Sequence, residues 1–382
     1  MAQTIAQAQR SLGHDVNVLS VVGSDLRSEP LKKPLLTVAA ALDEWVLSSH
    51  RENTLFSPLR GNLESLDSSK IRPDSIIHLH WMPGVLVPES IRKYLDGGRK
   101  VVWTLHDMNP FTGGCHYAHD CTGFSRGCEN CPQAKGVFRR TVSMNLMAKS
   151  FTRIYPRLRI VSPTDWMANQ VRISSAFSGQ KSLVVPNPID EVFFSGSNSS
   201  SPMVEPKPSK TEFVAVTIAK DLREPRKNID FVVRALEKAS FDSGQKITLI
   251  LIGQNGGAFS SSKVRLVWLG ELSADKIVGR IASADVLLSG SLAESAGMTV
   301  VECAAMGIPS VALENGGTAS LIRDGVSGIL ARDFDSFTSG VVDLIQSPRK
   351  LSTLGASALK SSELHRPTAV GRKYLEVYES MT

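Results

Sequence analysis

SGSLAESAGMTVVECAAMGIPSVALENGG, Ser289–Gly317, is the stretch from which the fold of this chain is read. Just ahead of it, Ala284–Leu288 is a short apolar run of the kind that forms a buried strand. A loop of small residues follows, with Glu294 as its acid. Gly297-Met298-Thr299 then opens a helical pattern in which Val300, Val301, Ala304 and Ala305 can face a core. Gly307 stands where helices commonly end on glycine, and Pro309 follows two residues later. Ser310–Leu313 reads as a second strand and Glu314-Asn315-Gly316-Gly317 as a loop.

This strand–loop–helix–strand order has a chemical consequence. A helix start presents unpaired N–H groups and the positive end of the helix dipole, so phosphate is its natural guest. Gly316 and Gly317 let backbone approach the same anion closely. Glu302 lies one turn into the helix, four residues on from Met298, and can face the same ligand. Its carboxylate can accept two neighbouring hydroxyls, as on a ribose, and Glu294 can do the same for a second polyol. Two acids beside a phosphate cradle suit a nucleotide-sugar. The plainer alternative is an ordinary helix start with an acid on its solvated face.

Glu294 and Glu302 are separated by seven residues, with ESAGM at the head and AAMGIPSVA at the tail. This resembles the E-x7-E region of retaining family-4 glycosyltransferases of the GT-B fold. Where that family has a small residue and an aromatic at the head, Ser295 and Ala296 stand here. The resemblance implies an α/β architecture of two Rossmann-like, parallel-sheet domains facing across a cleft, with a C-terminal helix that crosses back to the N-terminal domain. The alternation of strand and helix patterns agrees with parallel α/β domains.

Outward from this stretch, the second half of the chain reads as strand Glu212–Ile218, helix Ile229–Lys238, strands Lys246–Ile252 and Arg265–Leu269, and helix Ala274–Ala282. The loop Ala219–Asn228, AKDLREPRKN, is cationic and can neutralise a departing diphosphate. By the resemblance, Lys227 is the phosphate lysine and Arg226 or Arg223 its arginine partner; Asn228 stands where the family often has glycine. Gly270-Glu271-Leu272 resembles the segment whose backbone meets the nucleotide base, and Gly297, Met298, Thr299, Gly316 and Gly317 complete the expected donor site. A charged surface loop is the competing reading of the basic segment.

The first half begins with an amphipathic helix, Thr4–Leu12, and a strand, Val16–Val21. By the resemblance these are a first helix and second strand, and the first strand and glycine-rich loop that precede them in the family are absent. Either the true start lies upstream of Met1, which is the favoured expectation, or a central strand and part of the acceptor or phosphate loop have been lost. Helix Leu35–Trp45, strand Ser75–His80 (led into by Ser65–Ile71), helix Pro88–Leu95, strand Lys100–Leu105, strand Arg159–Ser162, helix Thr164–Ser174 and strand Leu183–Val185 follow. Open α/β sheets bind ligands at the carboxyl ends of their strands, which is where His80-Trp81 and His106-Asp107 fall. TLHD matches the family's H-D segment, which implies that His106 lies beside the donor sugar, with Asp107 orienting it. His78, His80 and Trp81 either line an acceptor cleft or pack. The resemblance makes His106, Glu294 and Lys227 the catalytic set, with front-face substitution as the mechanism and closure of the two domains bringing the Lys227 and His106 sides together.

Cys115, Cys121, Cys128 and Cys131 have the spacing C-x5-C-x6-C-x2-C, and the fifth cysteine, Cys303, adjoins Glu302. In a reducing compartment such a cluster favours metal over disulfides, and a four-thiolate structural zinc is its simplest occupant, with His116 and His119 as substitutes. Disulfides, an iron–sulfur centre and free thiols remain alternatives. The run WTLHDMNPFTGGCHYAHDCTGFSRGCENCPQ resembles the equivalent segment of colanic-acid-type exopolysaccharide glycosyltransferases. No cofactor is expected for catalysis, because GT-B enzymes generally lack a D-x-D metal motif.

With 382 residues and 42% hydrophobic content, the chain suits two domains, each with its own core. The expected division is 1–190 for the N-terminal acceptor-side domain with its cysteine loop 115–131, the Ser/Pro-rich 191–210 for a linker, 211–365 for the nucleotide-sugar domain, and 366–382 for the crossing helix (Ala369–Ser380 by pattern). No run reaches the length of a membrane span, and MAQTIAQAQR lacks the form of a signal peptide, so a cytoplasmic protein is expected. Net charge is +6. Lys135, Arg139, Arg140, Lys149, Arg153, Arg157 and Arg159 form an acid-free run that is either a solvated face or a patch for an anionic membrane surface or pyrophosphate-linked acceptor. No nucleic-acid module is present. The function expected is transfer of a hexose from a nucleotide-sugar to a glycan or lipid-linked saccharide in cell-surface polysaccharide synthesis, on the inner face of the membrane. A non-catalytic GT-B subunit that binds glycan or a partner competes with it, and a nucleotide-sugar 2-epimerase is disfavoured by the H-D and E-x7-E pairing.

Overall fold

The computed structural model describes residues 1–19, 56–57, 71–81, 83, 86–134, 136, 138–195 and 212–381. Packing divides the chain into two compact units. The N-terminal unit holds Gln9–Val185 and Arg372–Thr382; the C-terminal unit holds Gln3–Ala8 and Pro186–Gly371.

In the N-terminal unit, strands β1 (Ile76–His80), β2 (Lys100–Thr104), β3 (Leu158–Ser162) and β4 (Ser182–Val184) pair in that order, all parallel. Helix α1 (Ala2–Ser11) is divided, with Gln3–Ala8 counted in the C-terminal unit, and helices α2 (Pro88–Asp96), α3 (Phe138–Met147) and α4 (Asp165–Ile173) accompany the strands. β2 is buried from Val101 on, as a parallel strand covered on both faces must be. Thr164 and Ser174, which the sequence pattern counts as helix, are the caps of α4; the Thr164 hydroxyl accepts the Met167 N–H at 3.2 Å. The strand expected at Val16–Val21 does not form over residues 16–19, where Arg10 Nε donates to the Val16 carbonyl at 2.8 Å. Its last residues, helix Leu35–Trp45 and most of Ser65–Ile71 lie outside the described residues.

The C-terminal unit is a six-stranded parallel sheet of β5 (Phe213–Asp221), β6 (Ile247–Gln254), β7 (Arg265–Trp268), β8 (Val286–Ser289), β9 (Ser310–Leu313) and β10 (Gly328–Ala331). Its order is β10-β9-β8-β5-β6-β7. The period of two along each strand sorts the core. Ala215, Leu249, Leu251, Val286, Leu288 and Val311 join one buried cluster, while Val214, Val216, Ile250, Ile252, Leu287 and Ala312 join another. The first is covered by α6 (Ile229–Ser243) and α10 (Phe334–Gln346), and the second by α7 (Ala274–Ile281) and α8 (Met298–Ala305). A short α5 (Val192–Ser195) begins the stretch expected to be linker; 196–211 lies outside the described residues. Gly316 and Gly317, expected in a loop, open the short helix α9 (Gly316–Ala319). Gly317 N–H donates to the Glu294 carbonyl at 2.7 Å, which anchors that turn. β10, α10 and α11 (Pro348–Ser362) add elements for which no pattern was read; α10 starts on a capping box between Asp333 and Ser336.

The terminal helix α12 (Pro367–Glu379) passes from one unit to the other within its length, since residues from Arg372 onward cluster with the N-terminal unit. There, Tyr374 Oη lies 2.9 Å from Thr104 Oγ1, and Tyr378 Oη lies 2.7 Å from His78 Nδ1 and accepts from Gln9 Nε2 at 3.0 Å. The crossing helix expected from the sequence is therefore present.

Candidate functional site

From β5 the chain moves outward to β6 and β7, then returns through β8 to the other side of β5. The strand order reverses between β5 and β8, and the loops leaving their carboxyl ends diverge around a crevice that open α/β sheets use for ligands. The β5 loop ends in a 3-10 turn, Pro225–Lys227, and Asn228 takes the left-handed conformation (φ 54°) before α6. The β8 loop begins at Gly290, where a β-carbon would stand 2.9 Å from Val232 Cγ2 and 3.0 Å from the Asn228 carbonyl. Leu292 N–H donates to the Arg226 carbonyl at 2.8 Å. Only glycine permits this approach, and it locks the two loops together.

The locked loops bring the expected catalytic pair into contact. Lys227 Nζ lies 2.5 Å from Glu294 Oε1, and Arg226 Nη1 lies 2.9 Å from the same oxygen. Arg226 also donates to the Ala293 carbonyl at 2.7 Å and is gripped by Glu224 at 2.8 and 3.1 Å. Arg226, Lys227 and Glu294 are 9%, 16% and 11% exposed. Burial pushes the Glu294 carboxyl up, but Lys227 and Arg226 outweigh it and hold it below its ordinary value. Of the two candidate arginines, Arg226 is the one buried beside Glu294, and Arg223 stands exposed. Arg226 is balanced by Glu224, so Lys227 is the cation that an incoming anion can take over when Glu294 turns away.

Beside this cluster, α8 starts on Gly297, whose left-handed backbone (φ 43°, ψ 53°) suits glycine. Met298 and Thr299 form the first turn and are partly exposed. A β-carbon on Gly317 would fall 2.1 Å from the Ser295 carbonyl oxygen, so α9 is pressed directly onto the Glu294–Gly297 loop. Thr318, fully buried, has a hydroxyl with no hydrogen-bond partner, and a β-carbon at Gly297 would stand 3.3 Å from it. Thr318 was not singled out in the sequence; its only signal was its position after the Gly-Gly pair. Glu302 is half-buried in the second turn of α8, and burial, then the neighbouring Asp190, pushes its carboxyl up to about 7. Of the expected base-binding segment, the Gly270 carbonyl accepts the Gly253 N–H at 2.8 Å, Leu272 packs on the α8-side core, and Glu271 accepts from Gln254 at 2.8 Å.

In the N-terminal unit, the ends of β1 and β2 gather the expected histidines. His80 Nδ1 lies 2.9 Å from His106 Nε2, and the rings stack at 5.2 Å. His78 is bound on both ring nitrogens, by Tyr378 and by Thr104 Oγ1 (2.8 Å), and burial followed by the charge of His106 lowers it to about 3. It is therefore a packed residue. Trp81 is half exposed and takes φ 43°, a conformation that bulky residues adopt only where the surroundings hold it. Asp107, expected to orient His106, has partners on the cysteine-loop side. Its carboxylate takes His116 Nδ1 at 2.7 Å and the Asn109 N–H at 2.8 Å, and His116 Nε2 reaches Ser57 Oγ at 2.8 Å.

Two further expectations change. His116, with both nitrogens engaged, and His119, exposed on the far side of its turn, do not substitute for cysteine ligands. Lys149 belongs to the interior rather than to a basic face: its ammonium donates to the Asn109 and Thr112 carbonyls at 2.5 and 2.8 Å. Cys115, Cys121, Cys128 and Cys131 all line one small pocket, none of them in a disulfide. No helix among the described residues is long and apolar enough to cross a membrane.

Two parallel-sheet units and a helix shared between them define a protein of the GT-B glycosyltransferase fold. The fold matches sucrose-phosphate synthase from Thermosynechococcus elongatus over 100% of this chain and 92% of that one (TM-score 0.63, 13% identity). It also matches HepE from Anabaena in complex with UDP over 80% and 79% (TM-score 0.55, 16% identity). Residues 212–347 match the family model described as glycosyl transferases group 1. Among curated relatives, D-inositol 3-phosphate glycosyltransferase 2 of Catenulispora acidiphila is 31% identical over 25% of this chain and 23% of its own length. The putative colanic acid biosynthesis glycosyl transferase WcaC of Escherichia coli is 21% identical over 79% and 73%. The chain spans 23% to 41% of the length of the first three curated relatives it matches.

Proposed function

We propose that this protein is a retaining glycosyltransferase that moves a hexose from a nucleotide-sugar to a glycan or lipid-linked saccharide during cell-surface polysaccharide synthesis. The observation that carries the reading is the Lys227–Glu294–Arg226 cluster at the β5/β8 switch point, beside the start of α8. A diphosphate entering there takes Lys227 and the first N–H groups of α8, and the ion pair opens. Glu294 is then released to accept sugar hydroxyls, so one exchange loads both ends of the donor. Lys227 offsets the charge that develops on the departing diphosphate, where a fixed cation in a poorly solvated site is most effective. Glu302 accepts the ribose hydroxyls and the Thr318 hydroxyl supplies a further contact beside Gly297. His106 takes the sugar-side role, held in orientation by His80. No side-chain nucleophile is assigned, which makes front-face substitution the route to retention.

The relatives' names extend the reading. UDP is bound by HepE, a GDP-mannose-dependent mannosyltransferase of Mycolicibacterium smegmatis is 27% identical over 35% of the chain, and colanic acid is the product named for WcaC. UDP- and GDP-sugars are therefore the donors of choice, and a polysaccharide intermediate the acceptor. Arg139, Arg140, Arg153 and Arg157 are exposed near Met144, Met147 and Ile154, which are 59%, 68% and 72% exposed. Cations interleaved with exposed apolar side chains suit the headgroup region of an anionic inner membrane face.

The test is incubation of the purified protein with labelled UDP- and GDP-sugars, with and without membrane-extracted lipid-linked saccharides. Expected is sugar transfer or slow donor hydrolysis with the anomeric configuration retained. Turnover with inversion refutes the mechanism, and absence of any turnover across the panel refutes the activity.

A further inference from the structure

We propose that Cys115, Cys121, Cys128 and Cys131 bind one zinc ion as a four-thiolate structural site that fixes the loop following His106. The four side chains come from a segment whose regular structure is the 3-10 turn Gly123–Ser125, and they line the same small cavity, together with Gly113, Gly123, Phe124 and Pro132. Its volume of about 10 Å³ leaves room for one small guest. Cys128 and Cys131 are buried and Cys115 and Cys121 half-buried, so the walls are sulfur and hydrocarbon.

What distinguishes the cavity from a chance cluster is that hydrogen bonds hold the cysteines around it. The Thr112 hydroxyl donates to the Cys115 carbonyl at 2.7 Å and the Ala134 N–H to the Cys131 carbonyl at 3.3 Å, which holds the backbone beside those two sulfurs. Gly123 N–H points to Cys121 Sγ at 3.4 Å. A neutral thiol is a weak acceptor that gains little from such a partner, whereas a metal-bound thiolate carries charge that it stabilises and orients. Lys149, buried close enough to feel Cys115 and Cys128, supplies a positive charge against the net negative charge of zinc with four thiolates. Cys128 holds φ 57°, an unfavourable conformation for a side-chain-bearing residue that a bond at its sulfur would secure.

Among the described residues no three ligating side chains stand placed to hold a metal ion, so binding requires the sulfurs to move inward across the cavity. Soft thiolates with tetrahedral geometry select zinc or iron–sulfur, and four single sulfurs around a one-guest cavity select the single ion. The consequence is positional. Asn109 and Thr112, which hold Lys149, and Asp107, which holds His116, lie on the stem of this loop. Zinc would therefore stiffen the turn that leaves β2 at His106.

The experiment is elemental analysis of the full chain purified under reducing conditions, with a thiol count in denaturant before and after chelation. Expected are one zinc per chain, five titratable thiols only after zinc is removed, and a zinc affinity lowered more than about tenfold in Cys121→Ser and Cys131→Ser but unchanged in His119→Ala. Should the serine variants fail to fold, the wild-type zinc and thiol counts decide. Metal-free protein with all thiols free, thiols missing until a reductant is added, or iron in place of zinc would each overturn the proposal.

Discussion

Gly317→Ala tests whether α9 sets the position of Glu294. A β-carbon there meets the Ser295 carbonyl oxygen at 2.1 Å, its carbon at 2.3 Å and the Ala296 nitrogen at 2.7 Å, all backbone atoms. Restoring ordinary contact moves the loop by roughly 1 Å. Overpacking of that kind costs about 2 kcal/mol, and it also stretches the Gly317 N–H bond to the Glu294 carbonyl. A unit of this size should melt about 4–8 °C lower. The loop that moves carries Glu294, and a displacement of about 1 Å in a positioned group can cost on the order of a hundredfold in turnover. Gly325→Ala is the matched control: Gly325 has φ 67° and open space around the β-carbon, so it loses about 1–2 kcal/mol to backbone strain alone. Thermal melts and donor titrations of both variants separate the effects. Both should be destabilised, and only Gly317→Ala should lose nucleotide-sugar affinity. If Gly317→Ala binds donor as tightly as Gly325→Ala, the proposed coupling of α9 to the Glu294 loop is wrong.

Further outcomes follow from buried charge and surface patterning. Glu302 is raised to about 7 in the folded chain, so above its unfolded value the folded state alone keeps the proton, and stability falls as pH rises from about 4.5 to 7. Glu302→Gln should remove a penalty of about 3 kcal/mol at pH 8 while weakening donor binding; denaturant titrations with an unchanged pH slope would contradict this. His78 is lowered to about 3, so on acidification the unfolded chain takes up a proton below about 6.5 that the folded chain refuses, and stability falls toward pH 4. Tyr378→Phe leaves His78 buried without that partner and should cost about 1 kcal/mol or more; equal melting of variant and wild type at pH 7 would rule this out. Arg140→Ala with Arg153→Ala should weaken pelleting with anionic vesicles by about 2 kcal/mol, and neutral vesicles should not discriminate; equal pelleting of variant and wild type on anionic vesicles would remove the membrane patch.

The parallel strands were legible because burial on both faces leaves continuous apolar runs such as Ile247–Gln254, and helices showed through caps such as Thr164. The donor-side residues were legible as a set, because the β8 loop and the start of α8 lie together in the chain. Their partnership was not: Lys227 and Glu294 are sixty-seven residues apart, and only the β5–β8 neighbourhood joins them. The same limit explains Asp107, whose attachment to His116 depends on how the cysteine loop folds back. A run of basic residues likewise gave no sign that Lys149 turns inward to two carbonyls. The Thr318 hydroxyl stands out only once packing has removed every partner from it. Start signals for α10 and α11 were in the chain, in Asp333…Ser336 and Ser347-Pro348, but they became convincing beside the strands they follow.

The most direct test of the donor site is calorimetric titration of UDP- and GDP-sugars into wild type and Lys227→Ala. If Lys227 exchanges Glu294 for the diphosphate, a donor should bind wild type and lose about tenfold to a hundredfold in affinity without it, the worth of a charge-assisted hydrogen bond. Equal affinity in the two proteins would contradict the exchange, and failure of every nucleotide-sugar to bind wild type would contradict the donor site itself.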